Sequence, residues 1–290
     1  MSKVILIVGM ARSGTTLVSH ILGSHPETHI EVEPHALWKS GNFRYLDDES
    51  FKIKPSIIKN IRAKFLNDLP ERKILVEKSP INSLRPELVH AVFPQAKIIY
   101  IERDPIRCIH SNYKRSKEKD SFKLSIILKK YFLYTGSKDL DGAISKRTLF
   151  KQLSIKDYPA FIKHTLKMLY LRSFKNNLPF GPKLKNFGEI VEREGLLDYH
   201  VRVYKQSEKY KNRYKELYKE NLGLFKMEDI MKQPDEIKRM LDFVDLEYTE
   251  NWIQEIISSF DKGRVQKAIR SSEIDDKIKH LLKPNQPISG

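Results

Sequence analysis

The stretch GMARSGTT, residues 9–16, combines a glycine spacing and polar side chains that suit the binding of a phosphate group. Two glycines separated by four residues, between an apolar run and a helical pattern, are typical of loops whose backbone N–H groups cradle phosphate. ATP-binding loops carry lysine directly after the second glycine, but here that position is Thr15. We therefore expect the loop to hold a 5′-phosphate without a metal ion. The residues predicted to contact it are Arg12, Ser13, Gly14, Thr15 and Thr16.

Two further basic residues, Lys78 and Arg103, lie at the ends of predicted strands. The runs KVILIV, KILVEKS and AKIIYIERD are short, apolar and rich in β-branched residues, and helical patterns separate them. In a parallel sheet, ligands bind at the carboxyl ends of the strands. We therefore expect Arg12, Lys78 and Arg103 to converge on one anion.

The alternation of strands and helices predicts an α/β fold with three layers, in which helices cover both faces of a parallel sheet. Residues 115–220 change to a helical pattern rich in lysine and tyrosine, and we expect them to form an insertion over the acceptor side of the site. The segment NLGLFKMEDI is compatible with a return strand, and QPDEIKRMLDFVDLEY predicts an amphipathic helix. Because no repeat, low-complexity stretch or Gly/Ser linker divides the chain, residues 1–290 are expected to form a single domain.

Composition restricts the setting in which these residues work. A hydrophobic content of 40% favours a globular protein, and no apolar run approaches the ~20 residues that span a bilayer. The apolar start ends in a glycine loop, so we expect a buried strand rather than a secretory signal. Cys108 is the only cysteine and fits a reducing, bacterial cytoplasmic location. The nine histidines are scattered, and no metal site is expected.

The formal net charge of +16 favours anionic partners, which include nucleic acid, acidic polysaccharide, a phosphorylated ligand and a membrane surface. A lysine-rich soluble surface accounts for much of this charge. The chain has no recognised nucleic-acid-binding module, so no specific nucleic-acid partner is expected. A non-enzymatic nucleic-acid-binding protein stays open as an alternative that rests on charge alone.

Three motifs in order resemble the sulfotransferases that use 3′-phosphoadenosine-5′-phosphosulfate (PAPS). RSGTT followed by SHPE resembles their opening, and Arg103 with Ser111 in ERDPIRCIHS resembles their second signature. EKSP resembles the segment with the family's catalytic lysine. The resemblance implies a P-loop-like fold, PAPS as donor without metal, a 3′-phosphate held by Arg103 and Ser111, and Lys78 near the bridging oxygen. FKMEDIMKQPDEIKRMLDFVDLEY resembles the family's late strand–helix unit, although Met227 stands where a tyrosine near the adenine is frequent.

The resemblance also suggests a catalytic base. Counting from SHPE, Glu33 falls where the protein-tyrosine enzymes carry their catalytic glutamate. Glu31, two residues earlier on the same face of an extended segment, is the alternative, and His35 is a more distant candidate. DKGR resembles a basic segment that contacts the 3′-phosphate, which implies roles for Lys262 and Arg264.

Together these features predict transfer of a sulfuryl group from PAPS to a hydroxyl of a carbohydrate, most of all an anionic glycan, with a glutamate base. The aromatic residues Trp38, Phe43 and Tyr45 are candidates for the acceptor cleft. One alternative is a protein-tyrosine sulfotransferase. Another is a P-loop-type small-molecule kinase, for which Glu102 or Asp104 would bind magnesium. The sequence does not set the oligomeric state.

Overall fold

The protein is built on one parallel sheet, in a computed structural model that describes residues 3–67, 69–118, 153–175, 178–259 and 272–283. The five strands lie in the order β2-β3-β1-β4-β5, and each neighbouring pair runs parallel. Their bounds are β1 Val4–Val8, β2 Thr28–Val32, β3 Ile74–Lys78, β4 Lys97–Glu102 and β5 Leu222–Lys226.

Helices lie between and after these strands. The α-helices of the described residues are α1 Thr15–Gly23, α2 His35–Trp38, α3 Pro55–Leu66, α4 Pro86–Val92, α5 Pro105–Lys117, α6 Tyr158–Lys175, α7 Phe187–Glu194, α8 Leu196–Tyr218, α9 Met227–Ile230, α10 Pro234–Phe243, α11 Glu250–Ser259 and α12 Ser272–Leu282. Short 3₁₀ turns occur at Pro80–Leu84, Ile155–Asp157 and Lys219–Asn221. Proline stands in the first turn of several of these helices, where its missing N–H costs nothing.

The central strand β1 is buried on both faces. Ile5 and Ile7 pack into a cluster with residues of α1, α10 and α11. Leu6 and Val8 pack into a second cluster with residues of α3, α4 and α8. Because successive side chains of a strand point to opposite faces, this alternation places apolar helices on each side of the sheet. The predicted three-layer α/β fold with a parallel sheet is confirmed.

The strand β2 does not follow from the sequence pattern. Its five residues include Thr28, His29 and Glu31, and it lies at the edge of the sheet beside β3. An edge strand needs less apolar surface than a central one, so its composition resembles that of a loop. The helix α3 was also not predicted. The single-domain organisation stays a prediction, and the described residues between α5 and β5 form α6, α7 and α8.

None of the helices in the described ranges combines the length and the apolar character that are needed to cross a bilayer.

Substituting Gly9 tests the close approach of the loop to the neighbouring strand. A Cβ atom at Gly9 would lie 2.7 Å from the backbone oxygen of Ile101 and 2.7 Å from the Ser13 hydroxyl. Since a backbone atom of β4 cannot move freely, Gly9→Ala should lower the free energy of unfolding by about 1–3 kcal/mol. Urea unfolding measures this change.

The matched control is Gly188→Ala, because no atom lies within 4 Å of a Cβ at that helical position. It should leave the stability unchanged or raise it by up to ~1 kcal/mol. Equal stability of the Gly9 variant and the wild type would contradict the packing described for this loop.

Candidate active site

The loop between β1 and α1 has the geometry of an anion cradle. Arg12 and Gly14 have positive φ angles of 68° and 108°, which turn the chain sharply before α1 begins. A Cβ at Gly14 would clash with the Met227 side chain, so glycine is required here. The Ser13 hydroxyl is buried without a hydrogen-bond partner. Together with the N-terminal N–H groups of α1, which have no partners within the helix, it suits the oxygens of a bound phosphate.

Arg12, Arg103 and Ser111 meet beside this loop. The Nε of Arg12 donates to the Ser111 hydroxyl over 3.0 Å, and Nη1 of Arg103 donates to the Arg12 carbonyl over 2.7 Å. Partial burial and the nearby guanidinium groups of Arg103 and Arg115 lower the pKa of Arg12. Clustered positive charge of this kind is unfavourable by itself, and an anion bound among the three arginines would relieve the repulsion.

The acidic neighbours of Arg103 are engaged in other contacts. Glu102 accepts from Nζ of Lys211 at 2.6 Å. Asp104 caps α5, where its Oδ1 accepts from the N–H of Arg107 over 2.8 Å. Glu102 and Asp104 therefore make these contacts rather than an ion pair with Arg103, their neighbour in ERD. Arg103 contacts the loop instead.

Lys78 and Glu33 form an ion pair where β2 and β3 end. The Lys78 Nζ lies 2.9 Å from Oε1 of Glu33, and the Glu33 N–H donates to the Lys78 carbonyl over 2.8 Å. Lys78 is 2% exposed, whereas the Glu33 side chain is 28% exposed. The carboxylate is therefore the more accessible member of the pair. Glu33 also has a positive φ of 52°, an unfavourable conformation that is frequent at functional sites.

Glu31 and Glu33 lie in different environments. Glu31 is buried within β2, with Oε1 3.5 Å from Nε2 of His29. Glu33 lies one residue beyond the strand in a left-handed conformation, so the alternation expected for an extended segment ends before it. His35 begins α2, with Nε2 3.5 Å from Oε2 of Glu33. Of the three candidates for the base, Glu31 is therefore buried in β2, whereas Glu33 and His35 are neighbours at the site.

A cavity of about 380 Å³ adjoins Glu33, His35 and Ala11, the residue before Arg12 in the loop. Most of its wall is carbon. The apolar lining consists of Ala36, Phe43, Leu46, Ile81, Phe161, Met168, Leu169, Leu178 and Phe180. The polar groups of the wall include His164, whose Nδ1 donates to the Phe43 carbonyl over 2.9 Å and whose pKa burial lowers to about 4. His164 is therefore neutral at pH 7. Phe43 lines the cavity as expected, but Trp38 is fully buried in the core.

A buried polar network lies behind Lys78. Glu77 accepts hydrogen bonds from Nε1 of Trp38 at 2.8 Å and from Nδ2 of Asn82 at 3.0 Å. Burial raises the pKa of Glu77 to about 7, although hydrogen bonds and the charge of Arg85 act against this rise. Burial also raises the pKa of Asp48, but the charges of Lys39, Lys183 and Arg85 prevail and hold it at about 2. This network fixes the end of β3 and reaches the cavity wall at Asp48.

Most of the residues predicted for the site come together. The loop contains residues 12–16, and Arg103 and Ser111 lie beside it. The ion pair between Glu33 and Lys78 lies next to the loop, where β2 and β3 end. Lys262 and Arg264 fall outside the described residues. Within the described part of the chain, no group of three or more His, Cys, Asp or Glu residues is placed to hold a metal ion. The metal-free reaction stays a prediction.

Sequence comparison connects this geometry to a family of enzymes. The model of the "Sulfotransferase family" matches residues 4–140, the part that contains the loop, Glu33, Lys78, Arg103 and Ser111. This match covers just under half of the chain. The prediction of this family from RSGTT, EKSP and ERDPIRCIHS is confirmed, and PAPS is the family's sulfuryl donor.

A curated relative and several solved structures resemble this chain. An uncharacterized protein of Aquifex aeolicus (strain VF5) is 27% identical over 128 residues, and the match covers 39% of this chain but 17% of that protein. The sulfotransferase domain from the curacin biosynthetic pathway is 14% identical with a TM-score of 0.49, covering 100% of this chain and 94% of that one. The sulfotransferase of Alicyclobacillus acidocaldarius is 12% identical with a TM-score of 0.41, covering 97% and 96% of the two chains.

Mouse sulfotransferase SULT7A1, solved as a complex with PAP, is 16% identical with a TM-score of 0.41. The match covers 89% of this chain and 65% of the mouse protein. The chain therefore spans under two thirds of the length of this structure, and about a sixth of the Aquifex relative.

Substituting Arg103 tests the anion site. Loss of a hydrogen bond from a charged donor costs about 1.5–3 kcal/mol, so Arg103→Ala should weaken the binding of PAP (3′-phosphoadenosine-5′-phosphate) by at least about tenfold. Isothermal titration calorimetry measures the dissociation constant. Arg193→Ala is the control, because Arg193 pairs with Glu194 on the surface of α7. Similar affinities in the two variants would contradict the assignment of the arginine cluster.

Glu77 should make stability fall as the pH rises. Its pKa in the folded state is about 7, above the ordinary value of 4.5, so the folded protein holds a proton that the unfolded chain releases. The stability that this proton provides is complete below pH 4.5 and is lost as the pH rises through 7. The wild type should lose about 3 kcal/mol relative to Glu77→Gln over this range, at ~1.4 kcal/mol per pKa unit.

Urea unfolding of the wild type and of Glu77→Gln across this pH range measures the difference between them. Other carboxylates contribute equally to both proteins and cancel. A constant difference, or one that favours the wild type as the pH rises, would contradict a protonated Glu77 in the folded state.

Proposed function

We propose that this protein transfers the sulfuryl group of PAPS to an acceptor hydroxyl, with Glu33 as the base. The observation that carries the proposal is the Lys78–Glu33 ion pair, which lies between the phosphate-type loop and the cavity. A cation and an accessible carboxylate are the two groups that this reaction needs at its centre. The family match over residues 4–140 supports the reaction class.

The chain offers separate contacts for the two ends of the donor. The loop N–H groups, Ser13 and Arg12 are proposed to hold the 5′-phosphosulfate, since the Ser13 hydroxyl is buried without a partner. Arg103 and Ser111 are proposed to hold the 3′-phosphate, and the Arg12–Ser111 hydrogen bond makes the two subsites adjacent. Roles for Lys262 and Arg264 stay a prediction.

In the proposed reaction, the bond between sulfur and the bridging oxygen of the donor breaks as a bond from the acceptor oxygen to sulfur forms. The acceptor proton passes to an oxygen of Glu33, and the products are a sulfate ester and PAP. Lys78 stabilises the negative charge that grows on the leaving oxygen. The ion pair between Nζ of Lys78 and Oε1 of Glu33 places the cation and the proposed base side by side.

The cavity lining favours an acceptor hydroxyl on an apolar body. A carbohydrate acceptor presents many hydroxyls that need hydrogen-bond partners on the protein. The wall beside Glu33 is instead mostly aliphatic and aromatic, and Phe43 and Phe161 contact each other edge-to-face with ring centroids 5.4 Å apart. This wall supports a phenol or an aliphatic alcohol, and hence the protein-tyrosine alternative, whereas Lys39, Arg115 and Lys183 in the same lining suit an anionic group of the acceptor. Polysaccharide modification and a cytoplasmic location stay predictions.

The kinase alternative has less support. A P-loop kinase needs a carboxylate to hold magnesium beside the loop, and Glu102 and Asp104 were its candidates. Glu102 is paired with Lys211, and Asp104 caps α5. Thr15 occupies the position of the ATP-binding lysine.

Substituting Glu33 tests the base. Glu33→Gln keeps the shape of the side chain but cannot accept the proton, so kcat should fall by about 10²–10⁴-fold. The affinity for PAP should stay unchanged, because Glu33 is not among the residues proposed to hold the nucleotide. Turnover of PAPS with a phenol acceptor and calorimetry with PAP provide the two measurements.

Glu31→Gln is the matched variant, since Glu31 was the alternative base two residues earlier. It should retain activity, provided that circular dichroism confirms its fold. If Glu31→Gln lost activity while Glu33→Gln kept full activity, Glu31 and not Glu33 would be the base.

A further inference from the structure

Helix α6 exposes a stripe of apolar side chains to solvent. Ile162, Leu166 and Tyr170 follow one another at four-residue spacing and are 54%, 61% and 58% exposed. Ile155, in the 3₁₀ turn before the helix, is 87% exposed. Residues four apart lie on the same face of a helix, so these side chains form one continuous strip. We call the strip, with the exposed lysines described next, the α6 outer face.

The α6 outer face is also cationic. Lys156, Lys163 and Lys167 are exposed beside the apolar strip, and the helix sequence from Tyr158 to Lys175 contains no aspartate or glutamate. The nearest acidic residue, Asp157, is buried and accepts a hydrogen bond from the Ser40 hydroxyl over 2.6 Å. The face therefore combines aliphatic side chains with positive charge that no acidic residue of this helix neutralises.

The opposite side of the same helix faces the cavity. Phe161, His164, Thr165, Met168 and Leu169 line it. Only one face of α6 lines the cavity. The apolar character of the cavity therefore does not explain the exposed apolar strip on the other face of the helix.

We propose that the α6 outer face binds the surface of an anionic lipid bilayer. A helix with an aliphatic strip flanked by lysines lies in the interfacial region, with its apolar side chains among the acyl chains and its ammonium groups at the lipid phosphates. The long lysine stems allow this arrangement. Nucleic acid would pair with the lysines but would leave the isoleucine and leucine side chains unburied. If two copies of the chain associated through this face, their lysines would lie close together and repel each other. The net charge of each chain is already +16.

Binding of the purified chain to vesicles tests the proposal without substrate or turnover, so its outcome is independent of the proposed sulfuryl transfer. The protein should co-sediment with vesicles of equimolar phosphatidylcholine and phosphatidylglycerol, but not with phosphatidylcholine alone. Raising the salt to about 1 M, where the Debye length is ~3 Å, should release most of it.

Two pairs of substitutions separate the roles of charge and apolar surface. Lys163→Gln with Lys167→Gln should weaken partitioning about fivefold for each lysine removed. The control is Lys205→Gln with Lys209→Gln, an exposed pair at the same spacing on α8, which should leave partitioning nearly unchanged. Ile162→Ser with Leu166→Ser should abolish binding while leaving the melting temperature unchanged, because both side chains are exposed.

A local probe keeps the test independent of any variant that fails to fold. Cys108 is buried, so a fluorophore on Leu166→Cys would label this position selectively. Its emission should shift to the blue when the anionic vesicles are added, and a label on Lys209→Cys should not respond.

Three results would overturn the proposal. They are equal loss of binding in the two lysine pairs, no response of the probe at position 166, and self-association in ultracentrifugation that Leu166→Ser removes without any vesicle binding. The last result would assign the α6 outer face to a second copy of the chain.

Discussion

The site depends on the central position of β1 between β3 and β4. Parallel pairing aligns the three strands so that Ile7 lies beside Lys78, and Val8 lies beside Tyr100 near the end of β4. The chain leaves all three strands at the same edge of the sheet. The loop with Arg12, the lysine of β3 and the arginine after β4 are brought together by backbone hydrogen bonds, although they are far apart in sequence.

The convergence of cations at this edge has an electrostatic consequence. Burial and the charges of Arg103 and Arg115 lower the pKa of Arg12, and Lys78 is buried. Glu33 compensates the charge of Lys78, and Arg103 contacts the loop that contains Arg12. The positive φ angles at Arg12 and Glu33 are locally unfavourable, and the surrounding sheet and helices stabilise these conformations. A multiply charged nucleotide would offset the clustered positive charge of this site.

The sequence predicted those parts of the site in which a local sequence pattern and a chemically distinctive side chain occur together. The apolar strands and the basic residues at their ends predicted the edge where Arg12, Lys78 and Arg103 lie, because β-branched runs and strand ends are local properties. The polar edge strand β2 carries little of this signal, and the ion pair between Glu33 and Lys78 follows only from the pairing of β2 with β3. The apolar character of the cavity was also hidden, because α6 supplies one wall and its inward and outward faces are both apolar.

Nucleotide selectivity tests the account most directly. Thermal unfolding of the purified protein would be followed with PAP, with AMP, and with ATP plus magnesium. The account predicts saturable stabilisation by PAP without metal, reaching ~2.7 kcal/mol when the ligand is a hundredfold above its dissociation constant. AMP, which lacks the 3′-phosphate, should stabilise less at the same concentration. Stabilisation by ATP with magnesium and none by PAP would contradict the account and favour phosphoryl transfer.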